Sequence, residues 1–135
     1  MNYWLVKSEP HVYPINQLEK DGSTAWEGVR NYQARNNLRA MKSGDLCLYY
    51  HSNEGREIVG LAKVLKEAYP DASAPGGDWS LVDLGFVEIF PRSINLEELK
   101  AHPVLCKMEL IRQSRLSVLP VSTEEFELIM EITHS

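Results

Sequence analysis

The residues best equipped for chemistry in this chain are gathered in one short stretch, Trp26 to Asn37, WEGVRNYQARNN. It holds two large aromatics, two arginines, three asparagines and a glutamine, with little aliphatic material between them. Such a composition is poor as core, and its asparagines make it mediocre as a solvent-facing helix. Trp26, Tyr32, Tyr49 and Tyr50 offer flat apolar faces, while Asn31, Gln33, Asn36 and Asn37 offer both donors and acceptors. Arg30, Arg35 and Arg39 are able to hold phosphate or to stack on a planar group. Together these properties suit a nucleobase, whose faces need stacking, whose edge needs directional hydrogen bonds and whose backbone needs positive charge.

Catalytic arrangements are harder to assemble. Cys47 and His51 would make a nucleophile and base, yet four steps along an extended strand separate their Cα atoms by roughly 13 Å. His11, His51, His102 and His134 show no metal-ligand spacing. Cys47 and Cys106 are too few for a disulfide framework, lack a C-x-x-C partner, and read as reduced, mostly buried thiols. Gly76-Gly77 is isolated and completes neither phosphate-binding glycine motif. Glu9, Glu27 and Asp45 would have to converge from separate segments, and acidic residues are too abundant for that to single them out. The expectation is therefore no catalytic residue, no metal and no cofactor. Two alternatives remain: an enzyme on a nucleobase or nucleotide using Glu9, His51 or Cys47, and a protein-interaction module in which the polar stretch is structural.

The formal net charge of −5 argues against indiscriminate nucleic-acid binding through bulk positive charge. Its distribution is uneven. Between Trp26 and Lys66 seven basic residues face four acidic ones, whereas Glu124, Glu125, Glu127 and Glu131 crowd the C-terminal end. At 135 residues the chain fits a single domain spanning 1–135, with enough length to bury roughly two-thirds of its unfolded surface. It opens without a basic segment leading into an apolar one and holds no run of about eighteen apolar residues. A soluble, intracellular, cytoplasmic protein is expected, nuclear if eukaryotic, and a monomer.

The elements that must position these residues follow from local patterns. Asn2–Lys7 is aromatic and β-branched and predicts a strand. Pro14–Asp21, closed by Gly22, predicts a helix with Ile15 and Leu18 on one side. Asn31 is placed to cap a second helix over Tyr32–Met41, whose Ala34, Leu38 and Met41 form a narrow buried stripe, leaving Arg35 and Arg39 on another face. Asp45–His51 and Glu57–Tyr69 read as a hairpin around Ser52–Gly55, with Gly60 marking a bulge or bend. A loop over Tyr69–Asp78 leads to a strand at Trp79–Phe90. A short helix at Asn95–Ala101, with Asn95 and Glu98 at cap spacing, and a last helix opened by the capping box Ser122–Glu125, with Phe126, Ile129 and Met130 inward, complete the chain. The order implies an α+β domain, a small curved or barrel-like sheet with helices at its ends.

Several ordered, mostly polar segments, YWLVKSEP (3–10), WEGVRNYQARN (26–36), LRAMKSGD (38–45), YYHSN (49–53), Val59-Gly60, Tyr69-Pro70-Asp71 and RLSVLP (115–120), resemble the EVE domain family over nearly the whole chain. The resemblance implies a PUA-like, mixed but mainly antiparallel β-barrel flanked by short helices, related to the YTH and ASCH groups. It implies a non-catalytic reader whose partner is DNA or RNA carrying a modified base, a modified cytosine above all. In that picture Trp26 and a tyrosine form part of the aromatic wall, and Tyr50 belongs to the expected ligand set. Ser8 lies at the pocket edge, and Asn31, Gln33, Arg35 and Arg115 orient the base or its phosphates. Arg30, Tyr32, His51 and Ser117 complete the expected ligand set, with Ser117 on the rim. Many relatives carry a longer insertion before the tryptophan-containing strand, whereas this chain has only ASAPGGD between Asp71 and Trp79, which leaves less material for a lid.

Overall fold

The computed structural model describes all 135 residues. Six strands, β1 (Tyr3–Ser8), β2 (Ser23–Ala25), β3 (Leu46–His51), β4 (Glu57–Pro70), β5 (Ser80–Asn95) and β6 (Val118–Val121), form one sheet in the order β2-β5-β4-β3-β1-β6. Every pairing is antiparallel except β1 with β3. Five helices surround it: α1 (Ile15–Asp21), α2 (Tyr32–Ala40), α3 (Leu96–Ala101), α4 (Glu109–Arg112) and α5 (Thr123–Thr133), with a 3₁₀ turn at Leu105–Lys107. No helix is long and apolar enough to cross a membrane.

The caps fall where the side chains dictate. Asn31 accepts from the Ala34 N–H at 2.9 Å, and reciprocal capping boxes open α3 at Asn95/Glu98 and α5 at Ser122/Glu125. Ala34, Leu38 and Met41 are fully buried, as their spacing requires; Phe126 and Ile129 are buried and Met130 half-buried. The β4–β5 pairing shifts register at Gly60, where an added Cβ would sit 2.5 Å from the Glu88 carbonyl oxygen, so only glycine fits. β5 runs five residues beyond the expected Phe90, through exposed Pro91.

The expected barrel closure does not occur: the sheet ends at β2 and β6, which do not pair, and α2 lies across β5 and β6. Helix α2 packs against both strands, and its side chains bridge them. Asn37 Nδ2 donates to the Val118 carbonyl at 2.8 Å and Arg39 Nε to Ser80 Oγ at 2.9 Å. A helix stripe of Ala34, Leu38 and Met41 thus fills the space that a closing ladder would occupy, while three-residue β2 covers the outer edge of β5.

Beneath α2 lies one hydrophobic core of 32 buried residues. One polar anchor holds its rim. Asp45, buried at the start of β3, accepts from Trp4 Nε1, the Asn2 N–H and the Lys42 N–H. Burial alone would raise its carboxyl pKa, but these donors outweigh it and hold it below the usual range.

Candidate functional site

A cleft of about 570 Å³ opens where the end of β1, the β2–α2 connection and the 71–79 loop meet. Of the residues singled out from sequence, Ser8, Trp26, Arg30 and Ser117 line it, beside Lys7, Val12, Tyr13, Thr24, Ala25, Glu27, Gly28, Val29 and Ser73. Gly28 adopts φ 88°, a left-handed turn that side chains resist, and it lets Val29 bury while Trp26 and Arg30 stay at the cleft. Trp26 is wedged edge-on between Tyr13 and Tyr49, with centroid distances of 6.5 and 5.6 Å. The Tyr49 hydroxyl donates to the Tyr13 carbonyl at 2.6 Å, so this strand residue pins the α1 lead-in behind the tryptophan. Burial pushes the Tyr49 phenol well above its ordinary pKa, with the neighbouring Ser8 hydroxyl opposing the rise.

The floor is fixed by Asp71, whose side chain is fully buried. Its Oδ2 accepts from the Gly28 N–H and from Arg30 Nη1, each at 3.0 Å, and its Oδ1 accepts from the Ser73 N–H and hydroxyl. Burial alone would favour the neutral acid; the donors from Ser73, Gly28 and Arg30 overcome that cost and keep the carboxyl far below the usual carboxylate range. Arg30 Nη2 also donates to Ser73 Oγ at 3.2 Å. The first arginine of the stretch is thereby a strut between the turn and the loop.

The remaining expected residues are distributed around the cleft. Tyr32 is exposed and stacks on Trp79 at 5.0 Å, with the Arg35 guanidinium 5.0 Å from its ring. Arg35 and Arg39 both donate to the Asp78 carbonyl oxygen, and Arg39 also holds the Asp78 carboxylate at 2.6 Å. The short loop is therefore tethered at both ends to α2 or its lead-in, and it still supplies Ser73 to the cleft. Asn31 and Gln33 border a shallower groove of about 330 Å³ with Arg115; Gln33 Nε2 donates to Gln113 there at 3.0 Å. Tyr50, buried on the other face of β3 from Tyr49, borders a third groove. His51 Nε2 accepts from the Ile15 N–H at 3.1 Å and so anchors the start of α1; burial lowers its pKa, opposed by Glu57.

Each of the residues considered for catalysis is buried or engaged with another partner. Cys47 is fully buried and its thiol pushed far up by that burial. Glu9 accepts from Asn53 Nδ2, and His51 is committed to Ile15. Cys106 is half-buried and free. No three His, Cys, Asp or Glu side chains gather as a metal-binding group.

The EVE domain model matches residues 2–132. The chain belongs to the EVE domain family. This EVE domain is 43% identical to mouse thymocyte nuclear protein 1 over an alignment of 165 positions, gaps included, covering 97% of this chain and 73% of the mouse protein. It superposes on a crystal structure of human THYN1 protein in complex with DNA containing 5-methylcytosine, with a TM-score of 0.92 and 38% identity, covering 100% of this chain and 99% of that one. It also shares its fold with a YTH domain of Zygosaccharomyces rouxii, solved in complex with N6-methyladenosine RNA (TM-score 0.63, 12% identity, 99% of this chain and 87% of that one).

Four contributors to the site carry little signal in the sequence. Tyr13 and Thr24 lie in segments without a local recognition pattern, and Asp71 was noted only as part of a motif. A buried aspartate in a Tyr-Pro-Asp turn is the one signal that would have identified the floor, since an aspartate there is free to bind backbone N–H groups. Lys7 carried no signal beyond its strand.

Proposed function

We propose that this EVE domain is a non-catalytic nucleic-acid-binding module that reads a modified base, a modified cytosine in DNA or a modified base in RNA, in the Trp26 cleft. The observation that carries this reading is the match along the whole chain to a human protein solved with 5-methylcytosine DNA, in a molecule whose own cleft sets an aromatic face beside hydroxyl and charged groups. Trp26 supplies the stacking face, Ser8 and Ser117 the polar edge, and Arg30 with Asp71 the rigid floor. Arg115, Gln33 and Asn31 border the adjacent groove, where a neighbouring nucleotide would pass.

Energetics favour an extruded or single-stranded base. Flipping a base from a duplex costs a few kcal/mol, and one base stacked on one aromatic returns about 1–3 kcal/mol, so two or three hydrogen bonds complete the balance. The test is a binding titration at stated salt against DNA and RNA oligonucleotides with and without a modified base. Tighter binding of a modified oligonucleotide is expected; equal affinity across the panel would sink base reading. Product analysis after prolonged incubation with the same oligonucleotides should return them unchanged, and any altered base would overturn the non-catalytic part.

A further inference from the structure

The concave surface continues past the Trp26 cleft. Lys7 lines both that cleft and a groove of about 240 Å³ bordered by Tyr50, Arg56, Leu96, Leu110 and Ser114. The half-buried Lys7 ammonium donates to the Ser114 carbonyl at 2.8 Å, lies 5.9 Å from the Tyr50 ring centroid, and has no carboxylate partner. One acceptor for three donors, in a partly desolvated position, leaves a cation suited to an incoming anion. Arg56, which also lines the groove, is exposed and free of any ion pair; the one hydrogen bond its side chain makes is long, 3.4 Å from Nε to the Asn53 carbonyl. Its backbone sits at φ 48°, a left-handed conformation in the turn between β3 and β4. Around the cleft, by contrast, Arg30 is ion-paired with Asp71, and Arg35 and Arg39 share Asp78.

We propose that this groove is a subsite for the phosphodiester and sugar next to the recognised base, with Lys7 and Arg56 binding the phosphate and Tyr50, Leu96 and Leu110 supporting the sugar. The proposal rests on the Trp26 cleft being the base site, because Lys7 joins the two. An anion there meets two free cations and no carboxylate among the lining residues, and the apolar floor matches the carbon face of a pentose.

The test uses the full chain and a single-stranded oligonucleotide carrying one 5-methylcytosine, with affinity read by fluorescence anisotropy from 50 to 200 mM salt. Lys7→Gln and Arg56→Asn, the second chosen because asparagine tolerates the left-handed backbone, should each reduce the slope of log affinity against log salt by roughly 0.7. Arg56→Asn, outside the Trp26 cleft, should weaken methylated and unmethylated oligonucleotides alike, leaving their ratio unchanged. Unaltered slopes in both variants, or a lost methyl preference with the slope intact, would overturn the subsite. Outcomes for the two readings separate: reduced slopes without any methyl preference in the parent protein would uphold the phosphate subsite and reject base reading, whereas methyl preference with unaltered slopes would do the reverse. Absence of binding by the parent protein would reject both.

Discussion

Replacing Asp71 with asparagine should loosen the cleft from beneath. The buried carboxylate receives four hydrogen bonds, from the Gly28 N–H, Arg30, the Ser73 N–H and the Ser73 hydroxyl. An asparagine of the same size offers one oxygen to these donors and turns its NH₂ toward the rest, setting donor against donor. Hydrogen bonds to a charged group are worth about 1.5–3 kcal/mol each, and severing a buried pair about 3–5 kcal/mol. Arg30 retains 36% side-chain exposure, so water recovers part of its loss; with one acceptor conserved, a net destabilisation of about 2–3 kcal/mol is expected. At a urea m-value of about 1.5 kcal/mol/M this shifts the unfolding midpoint down by about 1.3–2 M with m unchanged, readable from tryptophan fluorescence. The pH dependence supplies a second check. The folded carboxyl titrates far below its ordinary value of 3.8, so its contribution is complete above that value and fades as pH falls below it toward the folded one. The gap between parent and variant should therefore narrow below about pH 4. A midpoint within error of the parent at pH 7, or a gap indifferent to acid, would refute the assignment of Asp71 as the floor.

Trp26→Ala should cost about 1–3 kcal/mol of affinity for a modified oligonucleotide, roughly 5- to 150-fold in Kd, with Trp26→Phe recovering most of it; an unchanged Kd for the alanine variant would remove the tryptophan from the base wall. Gly60→Ala should destabilise by about 2–3 kcal/mol, because its methyl meets a backbone carbonyl that has nowhere to move; thermal unfolding measures this. His51 accepts from Ile15 N–H through an unprotonated Nε2, and its folded pKa lies below the ordinary 6.5. Its contribution is full above pH 6.5 and declines as pH falls from there to the folded value, beyond which no further loss accrues. Amide exchange at Ile15 should accelerate correspondingly, after correction for intrinsic rates, and a His51→Ala variant should lack that dependence.

What short-range chemistry governs was legible without coordinates. Asn31, Asn95 and Ser122 cap helices because a side-chain oxygen reaches an N–H three residues away, whatever surrounds it. The Ala34–Leu38–Met41 stripe, the β3–β4 hairpin and the bulge at Gly60 are equally local. Motif order over most of the chain was sufficient for the family. Short β2 and β6 escaped notice because three- or four-residue strands carry little period, and their strand character comes from β5 and β1 alongside.

The use of each polar side chain was decided only in three dimensions. Arg30 and Asp71 are 41 residues apart, as are Arg39 and Ser80, while Arg35 meets Asp78 across 43. No local pattern reports such pairings: three arginines that read as phosphate ligands also brace a loop, and a lysine on β1 that drew no attention in the sequence has no carboxylate partner. Tyr49 and Tyr50 look equivalent in sequence, but the strand pleat sends one beneath Trp26 and the other toward a separate groove. Barrel closure depended likewise on where α2 would dock, because the edges of β5 and β6 meet its side chains instead of each other. Composition suggested that Trp26 to Asn37 could serve recognition; tertiary packing divided its side chains between a cleft and the contacts that brace it.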